Sequence, residues 1–346
     1  MRACVLHGIG HLRFENVSTP TRRPGEVLVR IEACGICGSD LPRVFEKGTY
    51  TFPTIPGHEF AGVICETEEK DAALLGKRVA VFPLLPCRRC AACEIGEYAQ
   101  CADYNYFGSR CDGGFAEYIS VPLFNLVMAP EGLSAEAAAM CEPAAVALHA
   151  IRQAQIEPGN TVAIFGAGPI GLLLAQWATA SGAARVVLFD IDQSKLDFSI
   201  SLGWSHSYNS MTVNPTEILR NLTDGQGADV AIEGAGAGKA WEQCLYGVRS
   251  FGTVVAMGNP AGDMHLSQKA YWEILRKQLT LRGTWNSSYN SVHNDWKTAL
   301  EAMLSGRIDP LSLITHRYTL EECPDAFQMI RERKTFNNKV MILTEK

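Results

Sequence analysis

Four closely spaced cysteines have the pattern of a metal site. Cys87, Cys90, Cys93 and Cys101 follow the spacing C-x2-C-x2-C-x7-C. Four thiolates close a tetrahedral shell around zinc and leave no position for a substrate. We therefore predict a structural zinc ion that holds this loop.

Iron–sulfur binding and nucleic-acid binding are the alternatives for this cluster. A ferredoxin-type motif also begins C-x2-C-x2-C, but its fourth cysteine follows after three residues and precedes a proline. Here seven residues intervene and Ala102 comes next, so zinc is favoured. A zinc ribbon that reads nucleic acid is poorly supported, because Arg88 and Arg89 are the only basic residues of the loop.

A second set of metal-ligand residues lies upstream. Cys37 offers a thiolate, and about twenty residues later His58 and Glu59 offer an imidazole and a carboxylate. Such a mixed set suits zinc and can leave a coordination position open for Lewis-acid chemistry. The pair does not begin a protease H-E-x-x-H motif, because Gly62 stands where the second histidine would be. The sequence thus predicts two zinc ions per chain, one structural and one reactive.

A glycine-rich turn predicts a dinucleotide site. G-A-G-P-I-G at residues 166–171 follows an apolar strand and opens an apolar helix. The first glycine permits the tight turn, the second lets a pyrophosphate approach the backbone, and the third allows close helix–strand packing. A carboxylate that can bind the ribose hydroxyls stands 19 residues later, at the end of the next strand. The predicted cofactor-binding residues are Gly166, Gly168, Pro169, Ile170, Gly171 and Asp190.

The residues after Asp190 favour NAD over NADP. They are Ile-Asp-Gln-Ser, which include no arginine for a 2′-phosphate. The second acid, Asp192, would repel such a phosphate.

The composition, with 47% hydrophobic and 20% charged residues, is that of an ordinary globular protein. A net charge of −6 without any basic block argues against nucleic acid as a partner. No apolar run reaches the roughly 18 residues of a membrane span, and no secretory signal is apparent. We therefore expect a cytoplasmic protein with no membrane partner. The seven cysteines outside the two metal sets are expected to be buried small hydrophobes.

The elements that position these motifs change in pattern along the chain. The first part has short alternating strands, such as Glu26–Ile31, separated by Gly and Pro, which is typical of a β-rich domain with long loops. From about Gly159, apolar strands such as Thr161–Phe165 and Arg185–Asp190 alternate with helical segments, which indicates a parallel sheet. After Gly283 two helices and a strand are expected to return to the first domain. The predicted domains are residues 1–148 with 286–346, and residues 149–285.

Six motifs, in order, resemble the zinc-dependent medium-chain alcohol and polyol dehydrogenases over essentially the whole chain. They are C-G-I-C-G-S-D (34–40), G-H-E-F-A-G (57–62), the four-cysteine spacing, D-G-G-F-A-E-Y (112–118), C-E-P (141–143) and G-A-G-P-I-G. The resemblance implies an α/β protein with a GroES-like β-rich catalytic domain and a Rossmann doubly wound parallel sheet. It also implies a cleft between the domains, where NAD would meet the reactive zinc.

The resemblance implies a role for each residue of the reactive site. Glu59 is a direct or alternate zinc ligand, and Glu142 binds the metal directly or through water. Ser39 matches the hydroxyl of a proton relay, and Asp40 matches a partner that orients the ligand histidine. A turn-stabilising Ser-Asp pair is the alternative for these two residues. The implied catalytic residues are Cys37, Ser39, His58, Glu59 and Glu142.

The implied activity is oxidation of a secondary hydroxyl to a ketone with NAD. The substrate that the resemblance favours is a sugar-alcohol phosphate of the galactitol 1-phosphate type; an unphosphorylated polyol, butanediol or L-threonine are the alternatives. Asn286 stands where sorbitol-type members have an arginine, which disfavours free sorbitol. Arg43, Lys47 and Arg110 are candidate cations for the phosphate. A homodimer or homotetramer is expected, and a non-catalytic dinucleotide-binding relative is the alternative from another class.

Overall fold

The structure, a computed structural model, describes residues 1–344. The chain divides into two compact units. The first unit contains Met1–Ala145 and the segment from Ser288 onward, and the second unit contains Val146–Ser287. The division lies two or three residues from the boundaries expected from the sequence, 148/149 and 285/286.

Short strands form most of the N-terminal part of the first unit. They are β1 (Arg2–Leu6), β2 (Leu12–Asn16), β3 (Glu26–Ile36), β4 (Glu59–Glu66), β5 (Arg78–Val81), β6 (Leu84–Leu85), β7 (Asn105–Tyr106), β8 (Tyr118–Pro122) and β9 (Leu126–Met128). The helices of this part are α1 (Asp40–Pro42), α2 (Ala91–Glu94), α3 (Ala135–Ala139) and α4 (Cys141–Ala154), which contains the division. β3 is five residues longer than the strand expected from the sequence.

The second unit is a parallel sheet with helices between its strands. The strands are β10 (Thr161–Phe165), β11 (Arg185–Asp190), β12 (Ser207–Asn209), β13 (Ala228–Glu233), β14 (Val248–Ala256) and β15 (Thr280–Gly283). The helices are α5 (Pro169–Ala180), α6 (Gln193–Ser201), α7 (Pro215–Leu222), α8 (Gly238–Gly247) and α9 (Gln268–Lys277). The strand order is β12-β11-β10-β13-β14-β15. Counted from β10 this order is 3-2-1-4-5-6, that of a Rossmann sheet. Every residue of β10 is buried, as a central strand requires.

The chain then returns to the first unit. It adds α10 (Asp295–Leu304), β16 (Ile314–Thr319), α11 (Cys323–Glu332) and β17 (Lys339–Leu343). β17 joins the large sheet, in which the order is β16-β17-β3-β4-β5-β9 and β8 also pairs with β3. The C-terminal half of β3 therefore lies between β17 and β4. Side chains such as Phe60, Phe115 and Phe327 fill the core of this unit.

Most of the cysteines outside the two metal sets are buried. Cys65 is exposed and Cys111 is half-buried, whereas the other five cysteines outside the metal sets are buried as expected. Cys65 lies near the end of β4, where the strand leaves the core. None of the helices within residues 1–344 combines the length and apolar character that crossing a membrane requires.

Candidate metal and dinucleotide sites

The four-cysteine loop brings its sulfur atoms together. The ligand atoms of Cys87, Cys90, Cys93 and Cys101 all lie within 4.8 Å of one another. Cys90 Sγ is 3.6 Å from Cys93 Sγ and 3.9 Å from Cys101 Sγ. A zinc tetrahedron with 2.3 Å Zn–S bonds has S···S edges of about 3.8 Å, so the arrangement fits a closed zinc site. The backbone N–H of Ala102 lowers the pKa of Cys90 to about 6, which favours the thiolate that zinc requires.

Cys37, His58 and Glu59 also converge. Their ligand atoms lie within 4.8 Å of one another, and no other group of residues 1–344 except the four cysteines meets this criterion. The register of the sheet explains the convergence. β3 and β4 are antiparallel, with Gly35 opposite Glu59, so the end of β3 and the start of β4 meet at one edge. The sulfur, nitrogen and oxygen donors suit zinc.

Asp40 contacts the candidate ligand histidine. His58 Nδ1 lies 3.3 Å from Asp40 Oδ1, which leaves Nε2 as the nitrogen for a metal. Asp40 Oδ2 also accepts a hydrogen bond from the backbone N–H of Cys37 at 3.0 Å. Burial lowers the pKa of His58, but the negative charges of Asp40 and Cys37 outweigh it, and the pKa is raised well above its usual value. Asp40 therefore makes both of the contacts that the sequence left as alternatives, one within the turn and one with His58.

Arg43 belongs to the same network. Its Nη1 donates to Asp40 Oδ1 at 2.9 Å and to Ser39 Oγ at 3.1 Å. Ser39 Oγ in turn donates to Cys37 Sγ at 3.3 Å. From the sequence alone, Arg43 was a candidate phosphate ligand, and these contacts were not predicted. Its position three residues after Asp40, in one helical turn, is the signal that could have indicated them.

Lys339, at the start of β17, forms a buried ion pair with Glu59. Lys339 Nζ lies 2.8 and 2.6 Å from the two carboxylate oxygens of Glu59 and also donates to the carbonyl of Ile36. The side-chain exposure is 3% for the lysine and 2% for the glutamate. Gly35 on the intervening strand makes the contact possible, because a Cβ there would overlap Glu59 Oε2. No local sequence pattern pointed to Lys339.

Glu142 lies outside the group of converging ligand atoms. It is buried in the first turn of α4, and burial raises its pKa to about 7. Tyr106 Oη donates to Glu142 Oε1 at 3.4 Å, and the Tyr106 ring lies 5.8 Å from the His58 ring. Glu142 therefore borders the site, and Tyr106 is a residue of the site that the sequence analysis did not identify.

The glycine turn of the second unit has the geometry of a pyrophosphate cradle. Gly166 has φ +116°, and a Cβ on Gly171 would overlap the carbonyl oxygen of Gly166. Gly168, the N-cap of α5, has open space around its Cα, and no side chain caps the helix. The N-terminus of α5 therefore lacks a side-chain acceptor and has room beside Gly168, which suits an anion. Pro169 and Ile170 occupy the first two helical positions.

Asp190 lies beside this turn. β10 and β11 are parallel neighbours, so their carboxyl ends meet at one edge of the sheet. Asp190 Oδ2 accepts a hydrogen bond from the backbone N–H of Ala167 at 2.7 Å. Asp192 caps α6 by accepting from Ser194 N–H. The residues therefore fit the ribose-binding role of a dinucleotide site.

Asn286 lies in the second unit. It has a left-handed backbone, with φ +58°, and its side-chain oxygen accepts a hydrogen bond from the Ser287 hydroxyl. Among the candidate phosphate cations, Lys47 is exposed and Arg110 is half-buried.

Two protein families match the chain. Residues 23–131 match the alcohol dehydrogenase GroES-like domain, and residues 169–305 match the zinc-binding dehydrogenase family. The chain is 36% identical to galactitol 1-phosphate 5-dehydrogenase of Escherichia coli K12 over 331 residues, with 95% of each chain covered. It is 32% identical to sorbitol dehydrogenase of Bacillus subtilis 168, with 99% of this chain and 97% of that protein covered.

Solved structures agree. Galactitol-1-phosphate dehydrogenase from Escherichia coli superposes with a TM-score of 0.91 at 35% identity, covering 99% of this chain and 100% of that one. A putative zinc-binding dehydrogenase from Sinorhizobium meliloti 1021, bound to NADP, has a TM-score of 0.90 at 29% identity, with 99% and 98% covered. A short chain alcohol dehydrogenase from E. coli CFT073, complexed with NADH, has a TM-score of 0.90 at 27% identity, with 99% of each covered. These findings confirm the family and the fold class predicted from the sequence.

Proposed function

Because this chain belongs to the zinc-binding, GroES-like alcohol dehydrogenase family, we propose that it oxidises a sugar-alcohol phosphate of the galactitol 1-phosphate type to a ketone with NAD. The observation that supports this proposal most directly is the convergence of Cys37, His58 and Glu59 beside Asp40 and Ser39. These residues would hold a zinc ion, which would supply a Lewis acid for a substrate hydroxyl, and NAD would supply the hydride acceptor.

The residues around the metal ligands have separate tasks. Asp40 holds His58 in one tautomer and one orientation, which preserves ligand geometry. Ser39, partly exposed and next to the ligand thiolate, passes the hydroxyl proton toward water. Glu142 borders the site and would contact a bound metal through water, a role supported by the position of its carboxylate outside the group of converging ligand atoms.

The proposed cofactor is NAD, bound at Gly166–Gly171 with its ribose on Asp190. Asp190 is aimed at the turn, and Asp192 adds a second negative charge at the position that a 2′-phosphate would approach. Lys195 Nζ, 4.0 Å from Asp190, is the one cation beside this carboxylate among the described residues. The charge of Lys195 is outnumbered by those of Asp190 and Asp192, which favours the ribose hydroxyl of NAD over the 2′-phosphate of NADP.

A reduction screen tests the substrate. The purified protein is mixed with NAD or NADP and with galactitol 1-phosphate, galactitol, sorbitol, butanediol or L-threonine, and formation of the reduced cofactor is followed at 340 nm. We expect galactitol 1-phosphate with NAD to give the highest kcat/KM. Brisk turnover of free sorbitol or threonine alone would reject the proposed substrate. Dinucleotide binding without turnover of any alcohol would instead favour a non-catalytic protein.

We also propose that the second unit pairs with a second copy of this chain. β15 is the outer strand of the sheet, and Leu281 on it is 41% exposed. Trp272, Leu275 and Trp285 are exposed large apolar side chains on and near α9 and this strand. Unpaired backbone groups beside apolar side chains favour edge-to-edge pairing.

Light scattering coupled to size exclusion tests this pairing. A homodimer or homotetramer mass is expected for the native chain. Leu281→Lys, which places a charge on the outer strand, is expected to shift the mass toward the monomer. A monomeric native protein would contradict the proposal.

A further inference from the structure

Arg110 is a cation without a carboxylate partner. Its Cζ lies 4.4 Å from the ring centroid of Tyr50 and 4.3 Å from that of Tyr104. Its Nη1 donates to the Tyr104 carbonyl at 3.0 Å, and its Nη2 donates to Tyr50 Oη at 3.3 Å. No Asp or Glu of residues 1–344 forms an ion pair with it. The two rings hold the guanidinium in one plane and offset part of its charge, but N–H donors remain for an anion.

Arg110, Tyr50 and Tyr104 line a pocket of about 470 Å³. Arg89, Asp103 and Asn105 also line it. Arg89 and Asp103 pair with each other at 3.0 Å and are 79% and 74% exposed, so their charges cancel in solvent. Leu85 and Cys87 complete the lining, in which Arg110 is the basic side chain without a carboxylate partner among the described residues. A pocket of this size admits a small phosphate ester.

The pocket is linked to the candidate metal site through two tyrosines. Tyr106 lies in β7, and Tyr104 directly precedes this strand. In extended backbone, side chains two residues apart point to the same side, with their Cα atoms about 7 Å apart. Their rings meet edge to face at 6.4 Å. Tyr106 contacts His58 and Glu142, whereas Tyr104 contacts Arg110. Tyr106 and Tyr104 thus connect the residues around the candidate metal ligands to Arg110 through adjoining rings.

A polyol phosphate carries its charged group several atoms away from its reacting carbon. In galactitol 1-phosphate, four carbon–carbon bonds of about 1.5 Å each, and the ester oxygen, lie between the reacting C5 and the phosphorus atom. Its phosphate therefore needs a cation that lies away from the metal ligands. Arg43 is engaged with Asp40 and Ser39, and Lys47 is exposed, so neither competes with Arg110 as a phosphate ligand.

We infer that Arg110, held between Tyr50 and Tyr104, binds the substrate phosphate and distinguishes phosphorylated from free polyols. The inference rests on the proposed function. A guanidinium binds phosphate through a planar fork of N–H donors, which lysine cannot reproduce. The two aromatic rings lower the entropy that the arginine loses when the phosphate binds.

Kinetics of Arg110→Met, Arg110→Lys and the control Arg13→Met test the inference. In Arg110→Met we expect kcat/KM for galactitol 1-phosphate to fall about 10- to 100-fold, while that for free galactitol stays within about twofold. Arg110→Lys is expected to lie between the native enzyme and Arg110→Met. Arg13→Met removes an exposed arginine of β2 that does not line the pocket, and it is expected to change neither value more than about twofold. Inorganic phosphate is expected to inhibit the native enzyme competitively and Arg110→Met at least about 10-fold more weakly.

Each outcome separates the two proposals. A native enzyme that prefers free polyols overturns the proposed function and this inference together. A native enzyme that prefers the phosphate, with that preference intact in Arg110→Met, overturns the inference alone. An equal loss on both substrates would show that Arg110 only supports the loop. If Arg110→Met does not fold, as judged by circular dichroism, Arg110→Lys provides the same comparison.

Discussion

Replacement of His58 by alanine is expected to lower kcat/KM at least about a thousandfold, because the reactive metal loses a ligand and its Lewis-acid contribution is worth several kcal/mol. Asp40 and Arg43 would then face a gap in place of the imidazole. The rate of NADH formation is measured under saturating NAD. Zinc per chain, measured by mass spectrometry, is expected to fall from about two to about one, because the four-cysteine site is untouched.

Two further variants provide controls for this result. His293→Ala removes an exposed histidine and is expected to leave both activity and zinc content unchanged. Cys93→Ser is expected to lose the other zinc and to lower the melting temperature, since a closed zinc site contributes to folding directly. Full activity in His58→Ala would contradict the assignment of the reactive site.

Replacement of Lys339 by methionine is expected to lower the free energy of unfolding by about 3–5 kcal/mol, because it leaves the buried Glu59 carboxylate without its counter-ion. The exposures of 3% and 2% show that solvent cannot replace the lost partner. Guanidinium unfolding of the metal-free protein measures the change, since a bound zinc ion could itself compensate Glu59.

A double-mutant cycle makes this prediction specific. Glu59→Gln combined with Lys339→Met removes both charges and is expected to recover most of the lost stability. Lys334→Met removes an exposed lysine that pairs with Glu332, and it is expected to leave the unfolding midpoint unchanged. If Lys339→Met and Lys334→Met behaved alike, the Glu59 pair would not be the cause.

Features carried by neighbouring residues could be predicted from the sequence. The spacing of the four cysteines determines which sulfur atoms can meet, because all four lie in the segment from Cys87 to Cys101. The turn at Gly166 is local in the same way, since its tight bend and its close helix contact both involve residues 166–171. The apolar strand Thr161–Phe165 was predicted with the bounds that the structure has.

Contacts between distant residues could not be predicted in this way. Lys339 reaches Glu59 only because β17 and β4 pair with opposite edges of β3, and no periodicity in either strand reveals that order. Tyr106 likewise meets Glu142 through the packing of a two-residue strand beside α4. Arg43 is an intermediate case. The sequence shows that it lies three residues after Asp40, but it does not show that Asp40 would bind the guanidinium in place of a phosphate.

The Glu59–Lys339 pair also bears on how the protein is made. The two residues are 280 positions apart, and the whole second unit is encoded between them. A ribosome therefore releases β4 long before β17 exists, and the nascent carboxylate must remain hydrated until translation reaches Lys339. The Glu59–Lys339 pair consequently forms only after synthesis of the nucleotide-binding half, although all four candidate ligands of the reactive centre are translated before that half.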